Sequence, residues 1–154
     1  MRDNTTIIDE LHKMVFEILD KQIMAGLRKL RDSALEYAQT SHEFKNRTFN
    51  LEDSYAAGIY HNGVLIEKTL SDKKATEPVV RDGVVYSGHD RADKFVSNFK
   101  AGDGYTLVVV AAQFYAMWVE AIHGLDVLTG AYQYTKDEMK NIWKKLPETY
   151  YSER

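Results

Sequence analysis

The sequence predicts an α+β fold with a long N-terminal amphipathic helix, an antiparallel sheet containing a β-hairpin, and C-terminal helices. Three observations carry this expectation. Apolar residues recur every three or four positions from Ile8 to Tyr37, and Asn62-Gly63 stands between two strand-like runs. Helical spacing returns at Phe114, Trp118 and Ile122, directly after the apolar run at 105–112. With 154 residues the chain suits a single domain, 1–154, able to bury roughly 70% of the surface its unfolded form exposes.

In the first segment Ile8, Leu11, Val15, Leu19, Ile23, Leu27, Leu30, Ala34 and Tyr37 lie on one stripe with charged residues between them. A helix from about residue 7 to 38 would be about 48 Å long, more than a core of this size needs. A kink at Gly26 or a projecting end is therefore expected. The polar, basic stretch 39–50 ends it as a connection.

Asn62-Gly63 supplies the two positive φ angles of a type I′ turn and predicts a tight hairpin, with Tyr60 opposite Leu65 and Ile59 opposite Ile66. Both faces of that ribbon are largely apolar, so one is expected to meet the long helix and the other a neighbouring subunit. Ile59, Tyr60, Leu65 and Ile66 are the candidate interface residues, and Tyr60→Asp or Leu65→Asp is expected to impair assembly while the monomer stays folded. Residues 69–104 read as an elaborated loop, with a strand at Val84-Val85-Tyr86 and a helix near Arg91 to Phe99. Gly102-Asp103-Gly104 then marks a turn into a central, two-sided strand at 105–112. Two helical segments follow, one through Phe114, Trp118 and Ile122, the other through Leu128, Tyr132, Met139 and Ile142.

Composition excludes several classes of function. Twenty Lys and Arg against 23 Asp and Glu leave a net charge of −3, which gives no general field for a polyanion. The absence of cysteine removes disulfides, thiolate chemistry and cysteine-based metal sites. Neither an export signal nor a membrane span is expected, because no segment approaches the ~18 apolar residues that a span needs.

Catalytic constellations are sparse. None of His12, His42, His61, His89 and His123 belongs to a His-Glu-x-x-His helix, and Glu120 with His123 supplies only one Glu-x-x-His pair. His89 and Asp90 sit where helix capping already predicts polar residues. An enzyme would need His61, His89, Glu120 and His123 to converge in one cleft. A nucleic-acid adaptor would need Arg28, Lys29, Arg31, Lys45 and Arg47 to form a continuous basic stripe. No catalytic, cofactor-binding or metal-ligating residue is assigned, and no cofactor is expected.

Two short stretches, residues 47–54 (Arg-Thr-Phe-Asn-Leu-Glu-Asp-Ser) and 114–120 (Phe-Tyr-Ala-Met-Trp-Val-Glu), resemble the paired signatures of the head-tail joining, or tail-completion, proteins of tailed phages. Thr48, Asn50, Leu51 and Ser54 match the first element, and Tyr115, Ala116, Val119 and Glu120 the second, with Trp118 at an often aromatic place. Phe49 stands where the family usually has glycine. In physical terms Thr48 and Asn50 can fix the chain's entry into the first strand, Leu51 can pin that turn to the core, and Glu120 needs solvent, a backbone amide or a basic partner. The resemblance implies a non-enzymatic virion subunit of the neck or tail junction, assembled in the host cytoplasm. It implies a homo-oligomeric ring, commonly of six copies, contacting portal, connector or tail-tube proteins. DNA would pass through the lumen without sequence-specific binding.

Overall fold

Helix α1 (Asn4–Thr40) runs 37 residues without interruption, about 55 Å at helical rise. The computed structural model describes residues 4–41, 49–72, 79–123 and 125–152, with His123 and residues 145–152 described by backbone alone. The buried residues of α1 are Met24, Leu27, Leu30, Ala34, Leu35 and Ala38, all in its C-terminal half. Ile7, Ile8, Leu11, Met14, Phe16 and Ile18 are exposed in the other half, so the excess length is a projecting end. The helix continues unbroken through Gly26. A β-carbon there would stand 3.0 Å from Cγ2 of Ile142, so the missing side chain lets helix α4 (Thr129–Ser152) approach closely. Eleven residues farther along α1, Tyr37 stacks on Tyr134 of α4 at 5.2 Å, which sets the two helices antiparallel.

The main sheet has the order β2-β1-β5, with β1 (Tyr55–His61) between β2 (Val64–Leu70) and β5 (Tyr105–Ala111), antiparallel on both sides. The hairpin turn has Asn62 at φ 50° and Gly63 at φ 78°, as a type I′ turn requires. Tyr60 pairs with Leu65 as expected, but Ile59 pairs with Glu67, not Ile66. A bulge inserts Ile66 as an extra residue and restores the alternation that points Glu67 at α1.

Alternation along β1 divides the core into two layers. Tyr55, Ala57 and Ile59 face α1 and the C-terminal helices, while Ala56 and Tyr60 face α2 (Gly88–Asn98) through Ala92 and Val96. Ile59 and Tyr60 are 0% and 1% exposed, which corrects their assignment to a subunit interface. The face expected to meet a neighbour is covered by a helix of the same chain. At Gly58 the fit is tight enough that a β-carbon would stand 2.7 Å from Val96 Cγ1. Leu65 is partly buried in the same layer and Ile66 is 46% exposed, so of the four candidates Ile66 is the one on the surface.

Two further expectations are corrected. Residues 105–111 form an edge strand; the central place is taken by β1, whose every residue from Tyr55 to Tyr60 is buried. In the region 69–104 the strand expected at Val84-Val85-Tyr86 and the helix expected near Arg91 to Phe99 are present, but among its described residues loop is not the larger part. The region completes β2, contains the ribbon β3 (Val79–Arg81) and β4 (Val84–Tyr86), and supplies α2 as a whole layer. Ser87 caps α2, its side chain accepting from the Asp90 amide at 3.1 Å. Helix α3 (Ala116–His123) leads from β5 into α4.

Candidate interaction surfaces

The two motif-like stretches, sixty-odd residues apart in sequence, meet at one end of the sheet. Leu51, Tyr55, Ala116 and Val127 belong to one buried cluster, with Tyr115 and Val119 packed against it. Ser54 links the stretches to the sheet: its amide and hydroxyl donate to the Leu51 carbonyl at 3.0 and 2.7 Å, and its own carbonyl accepts from the Ala112 amide at 3.0 Å. Asn50 is buried beneath the start of α2, where a β-carbon on Gly88 would lie 2.9 Å from the Asn50 carbonyl oxygen. Thr48, the remaining matched position, lies outside the described residues, as do His42, Lys45 and Arg47.

Phe49 has φ 58°, in the left-handed region that favours glycine. Its carbonyl accepts from the Asp53 amide at 2.9 Å, so this backbone conformation starts the turn that buries Leu51.

At the second stretch Tyr115 ends the turn into α3 and Trp118 lies in its first turn, 60% exposed. Met117 and Ile122 are exposed beside it at 74% and 58%. Glu120 finds a backbone amide: its Oε1 accepts from Thr129, the first residue of α4, at 2.8 Å. Asp126 Oδ1 accepts from the Gly130 amide at 2.9 Å, so two carboxylates occupy the positive end of α4. The Tyr55 hydroxyl beneath them donates to the Val127 carbonyl at 3.3 Å. Burial pushes its pKa up, assisted by the negative charges of Asp126, Glu120 and Glu52.

Two of the residues an enzyme would need are held apart. His61 ends β1 at the hairpin, stacked on Tyr105 with ring centroids 4.2 Å apart, whereas Glu120 serves α4 beyond the opposite end of the strand, about 20 Å away by strand rise. His89 lies in the first turn of α2. Among the described residues no group of three or more His, Asp or Glu side chains is arranged to hold a metal ion.

Two basic residues of α1, Arg28 and Arg31, share one carboxylate. Glu67 accepts from Arg28 Nε at 2.9 Å and from Arg31 Nη1 at 3.0 Å, and its carboxyl is held below the ordinary carboxylate range chiefly by the Arg28 hydrogen bond. On the other face Lys68 pairs with Asp93 and donates to Ser97 Oγ at 3.0 Å, which clamps β2 to α2. Of the residues whose continuous stripe a nucleic-acid adaptor would need, Arg28 and Arg31 are paired with Glu67, and Lys45 and Arg47 lie outside the described residues. No described helix is long and apolar enough to cross a membrane.

Sequence reasoning found the strand at Val84-Val85-Tyr86 but missed its partner β3 and the turn between them, although the signal was present: Asp82-Gly83 lies between valine pairs, with φ angles of 52° and 74° like those at Asn62-Gly63. It also missed a groove of about 640 Å³ between β5 and α4, which depends on α4 overhanging the sheet edge. Comparison with protein-family models, with curated protein sequences and with solved structures finds no match to this chain.

Proposed function

We propose that this chain is a structural subunit of the neck or tail junction of a tailed phage, acting by self-assembly into a ring between the capsid connector and the tail. The observation that carries this reading is the convergence of the two motif-like stretches, Leu51 and Ser54 with Tyr115, Ala116 and Val119, at one corner of the sheet. The left-handed backbone of Phe49 supports it, because the resembled family has glycine at that place. A closed ring needs two different complementary patches on each subunit. This chain exposes the arm of Ile7, Leu11, Met14 and Ile18 on α1, and far from it the group of Met117, Trp118 and Ile122 on α3. Exposed apolar clusters of this kind favour protein contacts over solvent.

The test is the mass of the purified chain across a concentration series, by light scattering, with electron microscopy of any large species. Closed rings of uniform copy number are expected. If the mass stays that of one chain, both alone and with a purified connector added, the reading fails.

A further inference from the structure

The two edges of the main sheet differ in kind. β2 carries the bulge at Ile66, and its Glu67 and Lys68 are tied to helices on either face, features that discourage pairing with another strand. β5, Tyr-Thr-Leu-Val-Val-Val-Ala, has no charge, glycine, proline or bulge, and pairs with β1 in unbroken register. Ala112 donates its amide to Ser54 at 3.0 Å and Asn62 donates to Gly104 at 2.8 Å, so bonds to β1 fall on the even-numbered residues of β5. The N–H and C=O groups of Tyr105, Leu107 and Val109 therefore point along the open edge, where no described strand pairs with them.

The groove of about 640 Å³ follows this edge, with Leu128 and, from α4, Tyr132, Met139 and Trp143 on one side and Phe99 on the other. Walls on both sides suit an extended segment lying in the plane of the sheet. The chain itself carries such a segment. The β3–β4 ribbon is a separate two-stranded sheet, an arrangement marginally stable in water by itself. One face rests on Phe114 through Tyr86 and Arg81, each 5.5 Å from its ring, while Val80, Val84 and Val85 are 53% to 61% exposed.

We infer that the β3–β4 ribbon of a second copy lies along the open edge of β5, extending the sheet across the subunit boundary with its valines against the groove walls. This rests on the ring reading and names its contact. The ribbon is anchored at Phe114, past the C-terminal end of β5, and the groove lies along residues 105–109. Donor and acceptor are thus different patches, and the contact is head-to-tail, as ring closure requires. Main-chain bonds would supply affinity, and the groove walls would select the side chains.

Because the chain has no cysteine, single introduced thiols report contacts without background. A Thr106→Cys chain mixed with a Val85→Cys chain, treated with a short bismaleimide, is expected to give a cross-linked dimer joining the two different variants. The double variant Val80→Glu, Val85→Glu, at exposed positions, is expected to lose the assembly with an unchanged far-ultraviolet circular dichroism spectrum. Rings that persist in the double variant would overturn the inference and leave the ring reading standing. Cross-linking of Thr106→Cys chains to one another at the same efficiency would overturn it in favour of two β5 edges paired symmetrically. A wild-type chain that remains monomeric even with a connector removes both.

Discussion

The Tyr60 hydroxyl donates to the Val96 carbonyl at 2.5 Å, tying the central strand to one of the last carbonyls of α2, which has no partner within its own helix. Tyr60 is thereby part of the monomer's core and not of a surface ribbon. Tyr60→Phe is expected to lower unfolding free energy by about 1–2 kcal/mol in urea titration. Tyr60→Asp would bury a charge without a cation beside it and is expected to leave the chain unfolded. A folded Tyr60→Asp monomer would show that α2 can detach from the sheet without global unfolding.

Phe49 occupies the left-handed region at a cost of about 1–2 kcal/mol for a residue with a side chain. Phe49→Gly removes that strain but loosens the unfolded chain, so its thermal midpoint is expected to match or exceed that of the wild type. Phe49→Val, branched at the β-carbon, is expected to lower it by several degrees. A large fall with glycine would mean that the ring, and not the backbone, holds the turn.

Glu67 sets a pH dependence. Its folded pKa lies below the ordinary value of 4.5, principally through the Arg28 hydrogen bond, so its contribution is present in full above that value. The contribution is lost as pH falls from about 4.5 through the lowered folded pKa. Asp93, lowered by Lys68, acts in the same direction. Glu67→Gln is therefore expected to flatten the acid limb of stability against pH. An unchanged acid limb would show that other carboxylates control it. Because the pair is largely solvent-facing, the effect at neutral pH is expected to be small.

Glu120 holds the first amide of α4 and faces the positive end of that helix. Glu120→Ala is expected to cost about 1 kcal/mol, whereas Glu120→Gln, which keeps an acceptor oxygen, should retain most of that stability. Equal losses in chemical denaturation would indicate that charge, and not the hydrogen bond, is what the helix end requires.

Elements that arise from neighbours in sequence were legible. The 3.6-residue stripe of α1, the positive φ angles of Asn62-Gly63 and the helical return after β5 all follow from local conformational preference. Leu51 and Glu120 could be given physical roles because a buried leucine and a carboxylate near a helix start have few options. The second turn, Asp82-Gly83, carried the same signal as the first and was obscured by the irregular composition around it.

What the tertiary structure decided is which side of each element is covered, and by what. A ribbon apolar on both faces is compatible with a helix and a subunit, or with two helices, and only the position of α2 shows that Tyr60 lies inside. The uninterrupted apolar run of β5 suits a central strand, yet β1, with its two alanines and a glycine, takes the centre because small residues let helices approach from both faces. Local sequence determines the conformation of a segment through its own backbone and side-chain preferences. Its place in the sheet depends on competition among distant segments for the same buried surface, which no local pattern records.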